Sequence, residues 1–388
     1  MVADALMKFC RNAWPLALAL GFAMPTQAQP AAGAAASPVA TPDATRIEAI
    51  MAQANFAGTV LIARGDTIVY ERAFGTLAPG GSEPHRLGGL WRWASVSKQI
   101  TATIAMQEVA AGRLDLDRPI RAYLPHSRAP FADQLTARML MQHISGLPRT
   151  EDSPVEVDGW TRFYRVPLDS PDTGIAWCEG PTDRSPPSEF HYGDCDFIMM
   201  GAVLEAVTGK RFADLVAERI AQPLGLTSIG VSAAPPAAPA PTVPGFDGDA
   251  AESTAFRIEN FGAAGAVYGT THDLLAFDRA LMTGRLIPDA QRAEMWAGQP
   301  RYGFAALGQW VFETPLAGCD TPVRIVERRG FIGGIVMRNI ILPDLDMVII
   351  MTSNRAGAEA AFAEIWQQAG VTHDVLAATI CPAVAPNP

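Results

Sequence analysis

Runs of β-branched and apolar residues stand near both ends of the chain, and a long helical and loop-rich middle separates them. Phe56 to Ala63 and Thr67 to Phe74 are joined by Arg64-Gly65-Asp66, which is a hairpin signal. Arg324 to Val326, Gly334 to Leu342 and Met347 to Thr352 read as strands too, and a last helix is expected from Ala358 to Ala369. In between, helical patterns run from Ser95 to Ala111, from Phe197 to Val207 before Gly209, and from Asp273 to Met282 before Gly284. Strands around a helical insert imply one sheet built from the two ends of the chain, with the middle forming a second lobe.

The chain of 388 residues is 49% hydrophobic and 18% charged, enough to bury a core. Its 30 basic and 40 acidic residues leave a net charge of -10, which argues against a nucleic-acid partner. Gly and Pro are abundant but follow no fixed period, so a collagen-like or repeat architecture is excluded. Lys8 and Arg11 precede an apolar run from Ala13 to Met24, and Thr26-Gln27-Ala28 has the form of a signal-peptidase site. Residues 1–28 are therefore expected to be a secretory signal and 29–45 an Ala/Pro-rich tether. A single domain should cover 46–372, with a helical lobe inserted over about 115–260, and 373–388 should be a tail. The apolar run is too short to span a bilayer, so after cleavage a periplasmic or secreted protein without a membrane partner is expected. Cys178, Cys195, Cys319 and Cys381 would remain, an even number suited to an oxidising compartment. Of the three pairings, Cys178 with Cys195 and Cys319 with Cys381 is favoured, because the first closes a short loop and the second pins the C-terminal segment.

The chemistry-bearing residues start at Ser95-Val96-Ser97-Lys98, where a helix opens. A spacing of three places the Ser95 hydroxyl and the Lys98 ammonium on one helix face. A serine nucleophile needs a base or a stabilised anion, and a helix N-terminus adds amides and positive potential. Alone this tetrapeptide is a weak signal, since an N-cap serine followed by a solvated lysine has the same spelling.

Its surroundings give it meaning. The stretch Trp91 to Ala102 resembles the nucleophile segment of the penicillin-recognising serine hydrolases, the group of class C β-lactamases, D,D-carboxypeptidases, D-aminopeptidases and related esterases. Leu140-Met141-Gln142-His143-Ile144-Ser145-Gly146-Leu147 is similar to that family's Leu-Leu-x-His-x-Ser-Gly-Leu segment, and Ala264 to Asp273 to its Gly-Gly-x-x-Ser-Thr segment. The resemblance runs from about Phe56 to Asn354 with motif order kept. It implies an α/β fold of the β-lactamase/transpeptidase type, an antiparallel sheet flanked by helices with an inserted helical lobe. It also implies Tyr192, in Tyr192-Gly193-Asp194, as the partner base that shares the proton transfers of Ser95 with Lys98, while Asp194, which replaces the family asparagine, could pair with Lys98 or bind a substrate amine. The third family element, Lys-Thr-Gly or His-x-Gly, falls on Arg328-Arg329-Gly330. An arginine there cannot transfer protons, but its fork suits a substrate carboxylate. Arg329 should face the other side of the strand. Gly330 should let substrate backbone lie against it, and the amides of Ser95 and Phe331 should form the oxyanion hole.

Six scattered histidines without His-Glu-x-x-His, and no paired Cys-x-x-Cys, give a metal site no support, and no cofactor is expected. His143 is read as structural and His191 as a rim residue. The expected activity is hydrolysis of an amide or ester of a small molecule or peptide through an acyl-Ser95 intermediate. Two alternatives are a short-chain esterase and a penicillin-binding-type sensor that does not turn over. Oligomeric state is not legible in the sequence.

Overall fold

A computed structural model describes residues 41–157, 159–232, 243–252 and 256–381. The expected signal segment, residues 29–40 of the tether, the Ala/Pro-rich stretch 233–242 and the last seven residues lie outside these.

The apolar runs at the two ends do form one sheet. Strands β1 (Gly58–Arg64) and β2 (Thr67–Phe74) make the first hairpin. Strands β3 (Trp310–Thr314), β4 (Val323–Ile332), β5 (Ile335–Leu342) and β6 (Met347–Ser353) come from the other end. The six-stranded order is β2-β1-β6-β5-β4-β3, with every neighbour pair antiparallel. The first and last strands meet with Gly58 opposite Ser353, which joins the termini at the sheet's centre.

Continuous rather than alternating apolar runs in β1, β5 and β6 follow from cover on both faces. Val60, Ile62, Ile340 and Ile349 pack with Ile47 and Met51 of helix α1 (Ala44–Gln53) and with Val375 and Leu376 of a C-terminal helix. Leu61, Met337, Ile341 and Ile350 share a second core with residues of helix α2 (Ser97–Ala110) and helix α3 (Cys195–Thr208). Each such side chain, fully withdrawn from water, contributes about 1.5–3 kcal/mol. Helix α2 is buried almost all round, as a helix wedged between sheet and lobe must be.

Several boundaries differ from expectation. Helix α1 already begins at Ala44, where Asp43 caps it by accepting the Arg46 amide at 3.0 Å, so order starts inside the expected tether. The three-residue run at 324–326 is the start of a ten-residue strand, and β3 was not expected at all. The helix expected over 358–369 breaks after Phe362, where Ala363 adopts φ 53°. Helix α5 (Val371–Ile380) then follows, later in the chain than helix α4 (Thr271–Met282). The expected tail at 373–388 is thus corrected: its residues 373–380 are helix, buried against the sheet.

Both favoured disulfides form. Cys178–Cys195, with Cα atoms 5.1 Å apart, ties a short helix to the first residue of α3. Cys319–Cys381, at 4.8 Å, fastens the end of α5 to the loop between β3 and β4. In the chain-entropy picture each closure is worth about 3–4 kcal/mol.

Candidate active site

Ser95 sits in a single 3-10 turn, Ala94–Val96, that leads into α2. The preceding Ala94 is held at φ 49°, a conformation that costs a non-glycine residue free energy and persists only where its surroundings enforce it. Here they do. Trp93 donates its amide to the Val267 carbonyl at 2.9 Å and its indole N–H to the Gly269 carbonyl at 3.2 Å. Ser97 Oγ accepts the Val267 amide at 3.1 Å, and Thr101 Oγ1 donates to the Ala263 carbonyl at 2.7 Å. The Ala264 to Asp273 segment is therefore the clamp on the nucleophile turn, and the Thr270–Asp273 capping box fixes its own helix α4.

Lys98 is fully buried beneath Ser95. Its Nζ donates to Ser95 Oγ at 3.0 Å, Asp194 Oδ1 at 2.5 Å and the Ala264 carbonyl at 2.9 Å. Three acceptors for three N–H groups is the full complement of an ammonium. Asp194 also accepts from Thr150 Oγ1 at 3.4 Å. The residue that replaces the family asparagine thus serves as counter-ion to Lys98, and it is only 8% exposed.

Tyr192 Oη lies 2.6 Å from Ser95 Oγ and accepts from Arg328 Nη2 at 2.6 Å. The Tyr192 ring stacks on Trp310 at 6.1 Å between centroids, and Lys98 Nζ stands 5.1 Å from the ring centre. Arg328 Nε donates to the Ser95 carbonyl at 2.8 Å. The expectation that Arg328 reaches out to a substrate carboxylate meets a guanidinium that is 2% exposed and bonded to the site's own groups. Burial pushes it below its ordinary range, while the Tyr192 and Asp194 charges pull it back up.

Strand β4 carries the other predicted groups. One of them is Gly330, which also has a packing role. A side chain on it would collide with the Trp93 carbonyl and press Ala94 Cβ at 3.2 Å, so glycine lets the nucleophile turn lie against the strand. The β4–β5 hairpin closes through Gly333 and Gly334, both at positive φ, with Ile332 opposite Ile335. Alternation along this pair aims the Phe331 amide away from β5, past the end of β3, whose last partner on β4 is Glu327. The Phe331 side chain is 52% exposed at this edge. Arg329 turns to the opposite face, as expected, and pairs with Glu364.

His191 is half-buried, and burial with nearby Arg184 and Arg149 holds its ring below the ordinary histidine range. His143 is buried against Asp196. Residue patterns missed two contributors, Trp310 and the Ala264 carbonyl. Trp310 lies on a five-residue edge strand too short to announce itself, and a backbone carbonyl has no sequence signature.

Comparisons with known proteins agree with this fold. Residues 44–373 match the protein family described as Beta-lactamase. The chain is 31% identical to Esterase EstB of Burkholderia gladioli over 209 residues, 50% of this chain and 53% of that protein. It is 28% identical to a putative D-alanyl-D-alanine carboxypeptidase of Escherichia coli K12 over 186 residues, 43% of this chain and 41% of that one. The chain thus spans about half the length of these curated relatives. Among solved structures, a D-stereospecific amidohydrolase from Streptomyces sp. superposes with TM-score 0.68 at 22% identity, covering 88% of this chain and 99% of that one. D-amino acid amidase from Ochrobactrum anthropi SV3 gives 0.69 at 19% identity, covering 86% and 98%. At such identities these two likenesses speak for the fold.

Proposed function

The chain belongs to the β-lactamase family, and on that premise we propose that it is an acyl-serine hydrolase of esters or amides that does not grip a substrate carboxylate. One observation carries this reading: Tyr192 Oη stands 2.6 Å from both Ser95 Oγ and Arg328 Nη2. In the competent form Tyr192 has released its proton to solvent and Arg328 holds the phenolate; Ser95 Oγ then attacks the carbonyl carbon as its proton passes to that phenolate, and the amides of Ser95 and Phe331 hold the oxyanion. Tyr192 returns the proton to the leaving alcohol or amine. Water, deprotonated by the same phenolate, then attacks the acyl-enzyme and frees Ser95.

The charge pattern supports Arg328 as the phenolate's partner. Asp194 cancels Lys98, so this ion pair supplies little net field at Tyr192. Arg328, always protonated and aimed at Oη, restores the positive charge that a phenolate needs. A guanidinium engaged in this way favours esterase or amidase chemistry over carboxylate-anchored peptidase or β-lactamase chemistry. Secretion in an oxidising compartment accords with the two disulfides.

The test is a hydrolysis panel of p-nitrophenyl esters, D- and L-amino acid amides, free-carboxylate peptides and nitrocefin. Wild type should turn over esters or amides. Ser95→Ala should lose at least about 1,000-fold in kcat/KM, and Tyr192→Phe about 100-fold or more. Wild-type turnover by Ser95→Ala would end the proposal. Stable Ser95 acylation without product would favour the sensor instead.

A further inference from the structure

Tyr192 is a phenol that must stand at 2.6 Å from two different atoms, yet it lies in a loop ahead of α3, next to Gly193. Something has to fix that loop. His143 follows a short helix in the segment read above as merely structural, and it is held at φ 57°, which an unconstrained histidine avoids. Its carbonyl accepts the His191 amide at 2.8 Å, and the Gly193 amide points at its Nδ1 from 3.5 Å. One residue therefore meets the backbone on both sides of Tyr192. Its ring also lies 4.5 Å from the Tyr192 ring and 5.4 Å from that of Phe197.

The imidazole is itself fixed. Nδ1 is 2.8 Å from Asp196 Oδ2, and the other carboxyl oxygen accepts from Ser145, whose Oγ takes the Leu147 amide at 3.0 Å. Burial, with Arg328 and Lys98 close by, holds His143 well below its ordinary range, and burial holds Asp196 well above its own. A neutral ring bonded to a neutral carboxyl sits beside the site without disturbing its charges. Buried histidine and aspartate are a costly choice for packing alone, since His143 Nε2 has no hydrogen-bond partner among the described residues.

We propose that His143, oriented by Asp196, is a positioning residue that holds Tyr192 at the distance at which it can exchange a proton with Ser95. The inference rests on the assignment of Tyr192 as the proton partner. It predicts a defect that passes through Tyr192 and nowhere else.

The experiment measures p-nitrophenyl acetate hydrolysis and burst amplitude for His143→Asn, Asp196→Ala and Asp196→Asn, in wild-type and Tyr192→Phe backgrounds. His143→Asn and Asp196→Ala should each lower kcat about 10- to 100-fold per active site, with KM within about twofold, as a misplacement near 1 Å does. Asp196→Asn, which still donates to Nδ1, should recover most of the rate. In the Tyr192→Phe background the same changes should cost less than about threefold, because their target is gone. If His143→Asn does not fold, the Asp196 pair carries the same test. Equal losses in both backgrounds, or a fall in burst amplitude alone, would overturn the inference. Unimpaired Tyr192→Phe would instead remove the reading on which it rests.

Discussion

Arg328 and Arg329 are consecutive residues on one strand with the same side chain, and alternation sends them to opposite faces of the sheet. Burial disfavours the charged guanidinium at both. At 329 the carboxylates of Glu327, Glu364 and Glu359 outweigh it, and the group is held above its ordinary range. At 328 no carboxylate touches the guanidinium among the described residues, and burial prevails. Its contacts are a carbonyl and a phenol. Arg329 is thus fully answered in the resting protein and serves stability. Arg328 is a buried cation whose matching anion appears only when Tyr192 gives up its proton, so its cost is borne for the reaction.

The comparison breaks most visibly at 328. Arg328→Ala should lower kcat on every hydrolysed substrate by about 100-fold or more, and Arg328→Lys, which keeps the charge but not the fork, by about 10-fold. Equal activity in both variants, measured by steady-state kinetics, would show that the cation is not used. At 329 the outcome should reverse. Arg329→Ala should leave kcat within about threefold yet destabilise the fold by about 3 kcal/mol in denaturant unfolding, because it strips a partner from the buried Glu327.

A third buried ionisable group sharpens the contrast by having no cation partner among the described residues. Asp278 of α4 is buried, Gln99 and Asn339 donate to it, and its carboxyl is pushed from 3.8 up to about 8. The folded state then binds more protons than the unfolded state between these values. Stability should therefore fall as pH rises from about 4 to about 8 and level off above. Asp278→Asn should flatten that slope and raise stability at pH 8 by about 1 kcal/mol, as read from urea unfolding at several pH values.

Much of this was legible because the informative features are local. Ser95 and Lys98 need only a helix period and their neighbouring residues, strands β1, β2, β5 and β6 only their apolar runs, and the cysteine pairs only their spacing. What escaped depends on three-dimensional context. In the sequence Arg328 reads as a ligand for a substrate carboxylate, because a carboxylate is an arginine's preferred partner, and only the fold shows its bonds to the Ser95 carbonyl and Tyr192. The crossing of Trp93 behind Gly330 is likewise invisible in one dimension. Helix α5 was lost in the approach to an Ala/Pro-rich end, although Val371, Val375 and Leu376 face the sheet at helical spacing.

The central claim is that Arg328 serves Tyr192 rather than the substrate. It is tested most directly by kcat and KM of wild type and Arg328→Ala on two substrates that share a scissile bond and differ only in a free or an amidated carboxylate. The account predicts the same fractional loss of kcat on both, with KM unchanged between them. A loss confined to the free-carboxylate substrate and expressed in KM would contradict it.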